Sequence, residues 1–262
     1  ITDRGRYRTK VLIGADGANS IVAQRLFPTR RLRRMPTLES EIGIGQAPVY
    51  PGEGKILIDL GATANGYAWI FPKKERLSIG VAEFRGKAAI PKGVFDRLVR
   101  DEKGLDSMDV PQPVGHPLPL YSSGSAMAPV GLVRHRALLV GDAGHLVDPL
   151  FGEGIYYAVR SGQIAAASVL GSFRDQRRTL LDYELAVTRE IYAEFRIASR
   201  VARIVYTFPR LCHRLMHRYQ EVINLYYDVL QGRETYQTFF LKAKGVVKAS
   251  FRELLRETLP FS

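Results

Sequence analysis

The most constraining feature of this 262-residue sequence is the run RALLVGDAGHLVDPLFGEGIYYAVRSGQIAAA, residues 136–167. It opens as a short apolar strand, Ala137-Leu138-Leu139-Val140, and breaks at Gly141-Asp142-Ala143-Gly144. A second glycine pair, Gly152 and Gly154 about Glu153, then leads into a helix rich in small residues. A buried strand ending in Gly-Asp sets a carboxylate at the C-terminal edge of a sheet, where ligands of open α/β folds bind. Asp142 can there accept two hydroxyl hydrogen bonds, as a polyol chain would supply. Pro149, Gly152 and Gly154 let a backbone lie close to a flat ligand without Cβ clashes. The helix after Gly154 aims free N–H groups and partial positive charge at the same place. The plainer alternative is a strand–turn–helix with a capping aspartate. A lone Gly-Asp would favour it; the whole run favours a ligand.

A second segment, VLIGADGANSIVAQRL (residues 11–26), places Asp16-Gly17 after an apolar strand, with Asn19 or Ser20 able to cap a short helix. Backbone N–H groups at such a turn suit a pyrophosphate or an adjoining ribose. Asp-Gly after a strand is equally a hairpin signal, so this segment gains weight only beside the first.

Between them the pattern is β: LESEIGIGQAPV, GKILIDLG, GYAWIFPKK and RLSIGVAEF, separated by Gly, Pro and Asn turn signals. RRLRR, residues 30–34, reads as a basic loop, residues 92–103 as a short amphipathic helix, and DVPQPVGHPLPL as an extended proline-punctuated connector. In GYAWIFP, alternation sends Tyr67, Trp69 and Phe71 to one face of a strand. Three aromatics in a row make an apolar wall suited to a long hydrocarbon chain, and equally a sheet that packs its core with aromatics. From Thr179 apolar positions recur at helical spacing, predicting one long amphipathic helix to Phe208, a second over 210–230 and shorter helices beyond.

Composition narrows the partners. The net charge is +12, but residues 41–170 hold thirteen Lys/Arg and thirteen Asp/Glu, so the excess lies at the two ends. No zinc-finger, RRM or basic-zipper pattern accompanies it, and nucleic acid is not expected as a partner. Arginines alternating with bulky apolar residues in the last third suit an anionic membrane surface, or simply a solvated basic face. One cysteine, Cys212, excludes an internal disulfide and fits a reducing compartment; no metal site is expected.

The pair GADGANSIVAQRL and LLVGDAGHLVDPLFGEGIYYAVRSG resembles the FAD-binding pattern of p-hydroxybenzoate-hydroxylase-like flavoproteins. GEGIYYAVRSG with LVDPL ahead of it, and GYAWIFPKKERLSIGV with Tyr67, Trp69, Phe71, Pro72 and Gly80 in matching positions, are similar to the geranylgeranyl reductase family within that group. The resemblance implies an α/β fold with an α+β insertion. A Rossmann-like FAD-binding domain (residues 1–36 and 116–171) would carry an inserted antiparallel β-sheet substrate domain (37–115) and a C-terminal helical region (172–262). It implies FAD as cofactor, NADPH or ferredoxin as electron donor, and an isoprenoid or prenyl-lipid substrate whose carbon–carbon double bonds are reduced. Asp16, Gly17, Gly141, Asp142, Pro149, Gly152, Glu153 and Gly154 would bind the cofactor. Tyr67, Trp69 and Phe71 would line the prenyl channel, with Tyr67, or an ordered water, as proton donor. The implied location is cytoplasmic, peripheral on the membrane face. The family opens on a GxGxxG unit that this sequence lacks, so it reads as roughly the C-terminal two-thirds of such a protein. GDAGH, residues 141–145, is also similar to the GDAAH of flavin hydroxylases, which leaves an aromatic monooxygenase or halogenase as a second expectation, and a membrane-docking fragment as a third.

Overall fold

The computed structural model describes residues 4–28, 33–43, 55–63, 65–84, 92–102, 104–121 and 131–246. Two compact units divide the chain, Ile1–Tyr192 and Ala193–Ser262.

The first unit holds two sheets. Strand β1 (Leu12–Gly14) pairs in parallel with β8 (Ala137–Leu139), and β8 pairs antiparallel with β7 (Val133–Arg134). This small sheet is where the two glycine-bearing segments meet, because Leu12, Ile13 and Gly14 stand opposite Ala137, Leu138 and Leu139. Helix α1 (Ile21–Leu26) follows β1, and α3 (Ile155–Arg174) follows the turn after β8. Helix α4 (Leu181–Val187) braces β8 and the segment leading into β7. The Tyr183 hydroxyl donates to the Leu139 carbonyl at 2.6 Å, and the Glu184 carboxylate accepts from the Leu132 and Val133 N–H groups.

The larger sheet runs in the order β3-β4-β5-β2-β6, antiparallel throughout: β2 Arg33–Gly43, β3 Leu57–Asp59, β4 Gly66–Pro72, β5 Arg76–Glu83, β6 Val114–Leu120. Side-chain parity gives it two faces. Ala68, Ile70, Leu77, Ile79 and Val81 form a core with Ile42, Phe95 and Leu105, so helix α2 (Lys92–Asp101) covers one face. Tyr67, Trp69 and Phe71 lie on the other, as alternation requires. Because both faces of β4 are covered, its burial is continuous from Gly66 to Ile70.

Several sequence expectations change. RRLRR is not wholly loop: β2 begins at Arg33, and residues 29–32 lie outside the described set. The second half of the proline-rich connector is instead strand β6 (Val114–Leu120), whose Pro117 and Pro119 face Pro36 and Arg34 of β2. Proline lacks the N–H that a strand paired on both sides needs; β6 tolerates two because it is the sheet edge, and Pro36 lies just outside the β2–β5 pairing, which begins at Thr37. The long helix expected from Thr179 onward is interrupted: α4 gives way to a π turn over Thr188–Tyr192 before α5 (Ala193–Thr207). The second expected helix is two, α6 (Pro209–Arg218) and α7 (Gln220–Leu230), parted at the non-helical Tyr219. Among the described residues no helix is long and apolar enough to cross a membrane.

Candidate functional site

The turn Asp148–Gly154 is the centre of the site, and its shape comes from one carboxylate. Asp148 Oδ1 accepts from the Leu150 N–H at 2.6 Å and the Phe151 N–H at 2.9 Å. The Asp148 backbone closes the loop from both sides, its N–H donating to the Glu153 carbonyl and its carbonyl accepting from Gly152 N–H. Asp148 is 2% exposed, so each of these bonds satisfies a group hidden from water. Gly152 completes the bend at φ +72°, and a Cβ there would sit 3.2 Å from Leu118 Cδ1. Pro149 is buried within the same turn.

Asp142 stands at the end of β8, in a 3₁₀ turn over Gly141–Gly144. Its carboxylate faces the start of α3: a Cβ placed on Gly154 would lie 3.3 Å from Asp142 Oδ1. Burial pushes the Asp142 carboxyl up, and among the described residues nothing donates a hydrogen bond to it. A half-buried acceptor left without donors, beside a helix N-terminus with no side-chain cap on Gly154, fits a ligand that brings hydroxyl groups. Gly141 serves the scaffold; its N–H donates to Ser161 Oγ of α3 at 3.0 Å. Glu153 turns its carboxylate onto the helix, accepting from Tyr156 N–H at 2.8 Å.

Asp16 has partners for both oxygens. Oδ1 accepts from Ser20 Oγ and Oδ2 from the Ile21 and Val22 N–H groups, while Ser20 Oγ caps Ala23 N–H. Burial pushes the Asp16 carboxyl up, but these hydrogen bonds together outweigh it and the net shift is downward. The carboxylate therefore anchors α1; Gly17, at φ +76° with nothing within 4 Å of a Cβ position, gives its carbonyl to Ser20 N–H and leaves the space on its Cβ side open.

The aromatic strand joins this turn directly. Tyr67 Oη donates to the Phe151 carbonyl at 2.5 Å, and the Tyr67 ring lies 5.5 Å from Phe151, 5.8 Å from Trp69 and 5.8 Å from Phe84. Phe71 continues the row, 6.1 Å from Trp69 and stacked at 28°. Burial, and after it the charge on Asp148, push the Tyr67 phenol up, so its hydrogen stays on oxygen and on the Phe151 carbonyl. Sequence reasoning assigned no role to Asp148, Phe84 or Phe151. Asp-Pro before an apolar pair is a turn-initiation signal that could have pointed to the first; the two phenylalanines carry no local signal.

No family model matches the chain. An uncharacterized Methanosarcina barkeri protein is 30% identical over 242 residues, spanning 91% of this chain and 59% of that protein. The chloroplastic geranylgeranyl diphosphate reductase of Oryza sativa subsp. japonica is 22% identical, spanning 92% and 50%. The chain is thus similar to proteins named as geranylgeranyl reductases. It spans 59% and 50% of the length of these two relatives. Among solved structures, a geranylgeranyl bacteriochlorophyll reductase-like protein of Thermoplasma acidophilum superposes with a TM-score of 0.60 at 21% identity, over 76% of this chain and 51% of that one. A probable FAD-dependent monooxygenase of Pseudomonas aeruginosa superposes with a TM-score of 0.55 at 19% identity, over 79% of this chain and 58% of that one, and both likenesses are of fold: they agree with the α/β architecture and its antiparallel sheet.

Proposed function

We propose that this chain is the ring-side and substrate-side portion of an FAD-dependent oxidoreductase that saturates carbon–carbon double bonds in an isoprenoid chain. The observation that carries the reading is the Tyr67–Phe151 hydrogen bond, because it fastens the aromatic wall to the glycine turn. A flat redox cofactor over the turn and an apolar chain along the wall would then be neighbours.

The residues present fit such a cofactor on one side. Asp142 would hold ribityl hydroxyls, its carboxylate having no donor among the described residues. Gly152 and Gly154, braced by Asp148, Pro149 and the Glu153 backbone, would lie beneath the ring. Gly141 and Asp16 would act through the scaffold, and Gly17 would offer backbone N–H toward the pyrophosphate. Bound flavin supplies the hydride and the two-electron chemistry. The protein's part is placement: an isolated alkene is a poor acceptor, so holding it at the ring must do much of the work. Tyr67, Trp69 and Phe71 provide a wall that excludes water and orients the chain. Tyr67 can give up its proton only by leaving the Phe151 carbonyl, so ordered water is the better donor. NADPH or ferredoxin would reduce the flavin.

The wall would collect its substrate from a bilayer. Helix α6 has no buried residue, Phe208 and Leu211 are 55% and 54% exposed, and Arg210, Arg214 and Arg218 accompany them. That composition fits peripheral contact with anionic lipid on the cytoplasmic face.

The test is anaerobic incubation of the purified protein with FAD, NADPH or reduced ferredoxin, and geranylgeranyl diphosphate, followed by mass spectrometry. Gain of two hydrogens per reduced double bond is expected. Oxygen-dependent NADPH oxidation without a saturated product would instead favour the aromatic monooxygenase reading, and a protein that never takes up flavin would overturn both.

A further inference from the structure

Trp69 is the one tryptophan in the chain, and its indole is 8% exposed on the face of the sheet that meets the glycine turn. A ring this large fits because the neighbouring strand has no side chain opposite it. Trp69 stands across from Gly80, where a Cβ would come within 2.2 Å of Trp69 Cζ2. The gap admits the ring but does not orient it.

Orientation comes from a chain of hydrogen bonds along the edge of the ring. Trp69 Nε1–H donates to Ser78 Oγ at 3.1 Å, and Ser78 Oγ–H donates to Glu39 Oε1 at 2.6 Å. An ionised carboxylate can only accept, so Glu39 fixes the direction of the whole chain. It draws the single serine hydrogen to itself and leaves a serine lone pair aimed at the indole. Glu39 has no cation partner among the described residues, whereas Glu41, two positions along the same face, holds both Lys73 and Arg76. A partly buried carboxylate without a cation is an expensive way to keep a sheet together. Ordering the indole is a use for it that the geometry supports.

We propose that Glu39, acting through Ser78, is a positioning residue that holds the Trp69 indole as a fixed wall of the prenyl-binding surface. It sets how tightly a long isoprenoid chain is gripped without touching the reacting carbons. The inference rests on the isoprenoid reading of the site for its ligand, but not for the hydrogen-bonded chain itself.

Because the chain has a single tryptophan, its fluorescence reports this site alone. The first arm needs no ligand and compares the wild-type protein with Glu39→Leu, Glu39→Gln and Ser78→Ala. Glutamine still accepts from the serine hydroxyl; leucine cannot. Expected are a shift of the emission maximum and stronger acrylamide quenching in Glu39→Leu and Ser78→Ala, with Glu39→Gln matching wild type. Circular dichroism checks folding, and Ser78→Ala, which removes one oxygen, decides the matter if Glu39→Leu does not fold. Emission unchanged in Glu39→Leu, or shifted equally in Glu39→Leu and Glu39→Gln, would overturn the proposal.

The second arm titrates each protein with geranylgeranyl diphosphate. Half-saturation in Glu39→Leu should weaken about tenfold, with Glu39→Gln within about twofold of wild type, the scale of one charge-assisted hydrogen bond. In turnover the loss should appear in KM and leave kcat little changed. Equal affinity in wild type and Glu39→Leu would overturn the positioning role. A wild-type protein whose emission ignores geranylgeranyl diphosphate would overturn the isoprenoid reading, and the first arm would still decide whether Glu39 orders the indole.

Discussion

Asp142 is half-buried and has no donor among the described residues, and that combination separates its contribution to stability from its contribution to binding. A carboxyl whose folded pKa is raised favours the folded state below its unfolded value of 3.8 and loses that advantage as pH rises through the folded pKa. Above that window the folded protein carries a charge it would rather not have. Asp142→Asn should therefore melt at the same temperature as wild type or higher at pH 7, while retaining flavin at least about tenfold more weakly. Scanning calorimetry and a flavin-retention assay on the same preparations check both. A clear fall in melting temperature would mean that Asp142 is a structural cap after all.

Two elements depend on a carboxylate in the opposite sense, as an acceptor of backbone N–H groups. Asp148 holds the Leu150 and Phe151 amides of the glycine turn, and Asp148→Ala would remove the acceptor of both bonds, one buried and one partly buried, at about 1–3 kcal/mol in all. Tyr67→Phe removes one neutral hydrogen bond to the same turn and should lower stability by only about 1 kcal/mol. Urea unfolding of the two variants should rank them in that order. Asp16 anchors α1 and has a lowered pKa, so its stabilisation is present above 3.8 and is lost as pH falls through the folded value. Asp16→Ala should be destabilised by about 0.5–2 kcal/mol at neutral pH, with the difference from wild type shrinking in acid. These turns and caps were only partly legible in the sequence. Asp16 and Ser20 stand out as capping types, yet nothing local said that both oxygens of Asp16 would be taken up by the helix. The proline connector misled because edge position, which makes two prolines tolerable in β6, is a property of the sheet and not of the segment.

For the whole molecule, charge is the property that sums. The excess of +12 lies outside residues 41–170, and the helices after Tyr192 carry much of it on faces with exposed apolar side chains. The chain should co-sediment with phosphatidylglycerol vesicles at low ionic strength and release as salt approaches about 1 M, where screening shortens to about 3 Å. Binding to neutral phosphatidylcholine vesicles with equal strength would show that hydrophobic contact, and not charge, governs the interaction.

By itself the sequence determined the local conformations: the short strand just before Asp142, the glycine bend, and the row of aromatics on one side of β4. Those follow from side-chain alternation and from what glycine and proline permit, which neighbouring residues already decide. Only the tertiary structure decided which groups would meet. Glu39 and Ser78, 39 positions apart, touch because β2 and β5 pair in one register, and Tyr67 reaches Phe151 across 84 positions because the sheet face abuts the turn. A one-residue slip in that register would send each side chain to the opposite face. Periodicity along a strand fixes alternation; the pairing of strands fixes partners.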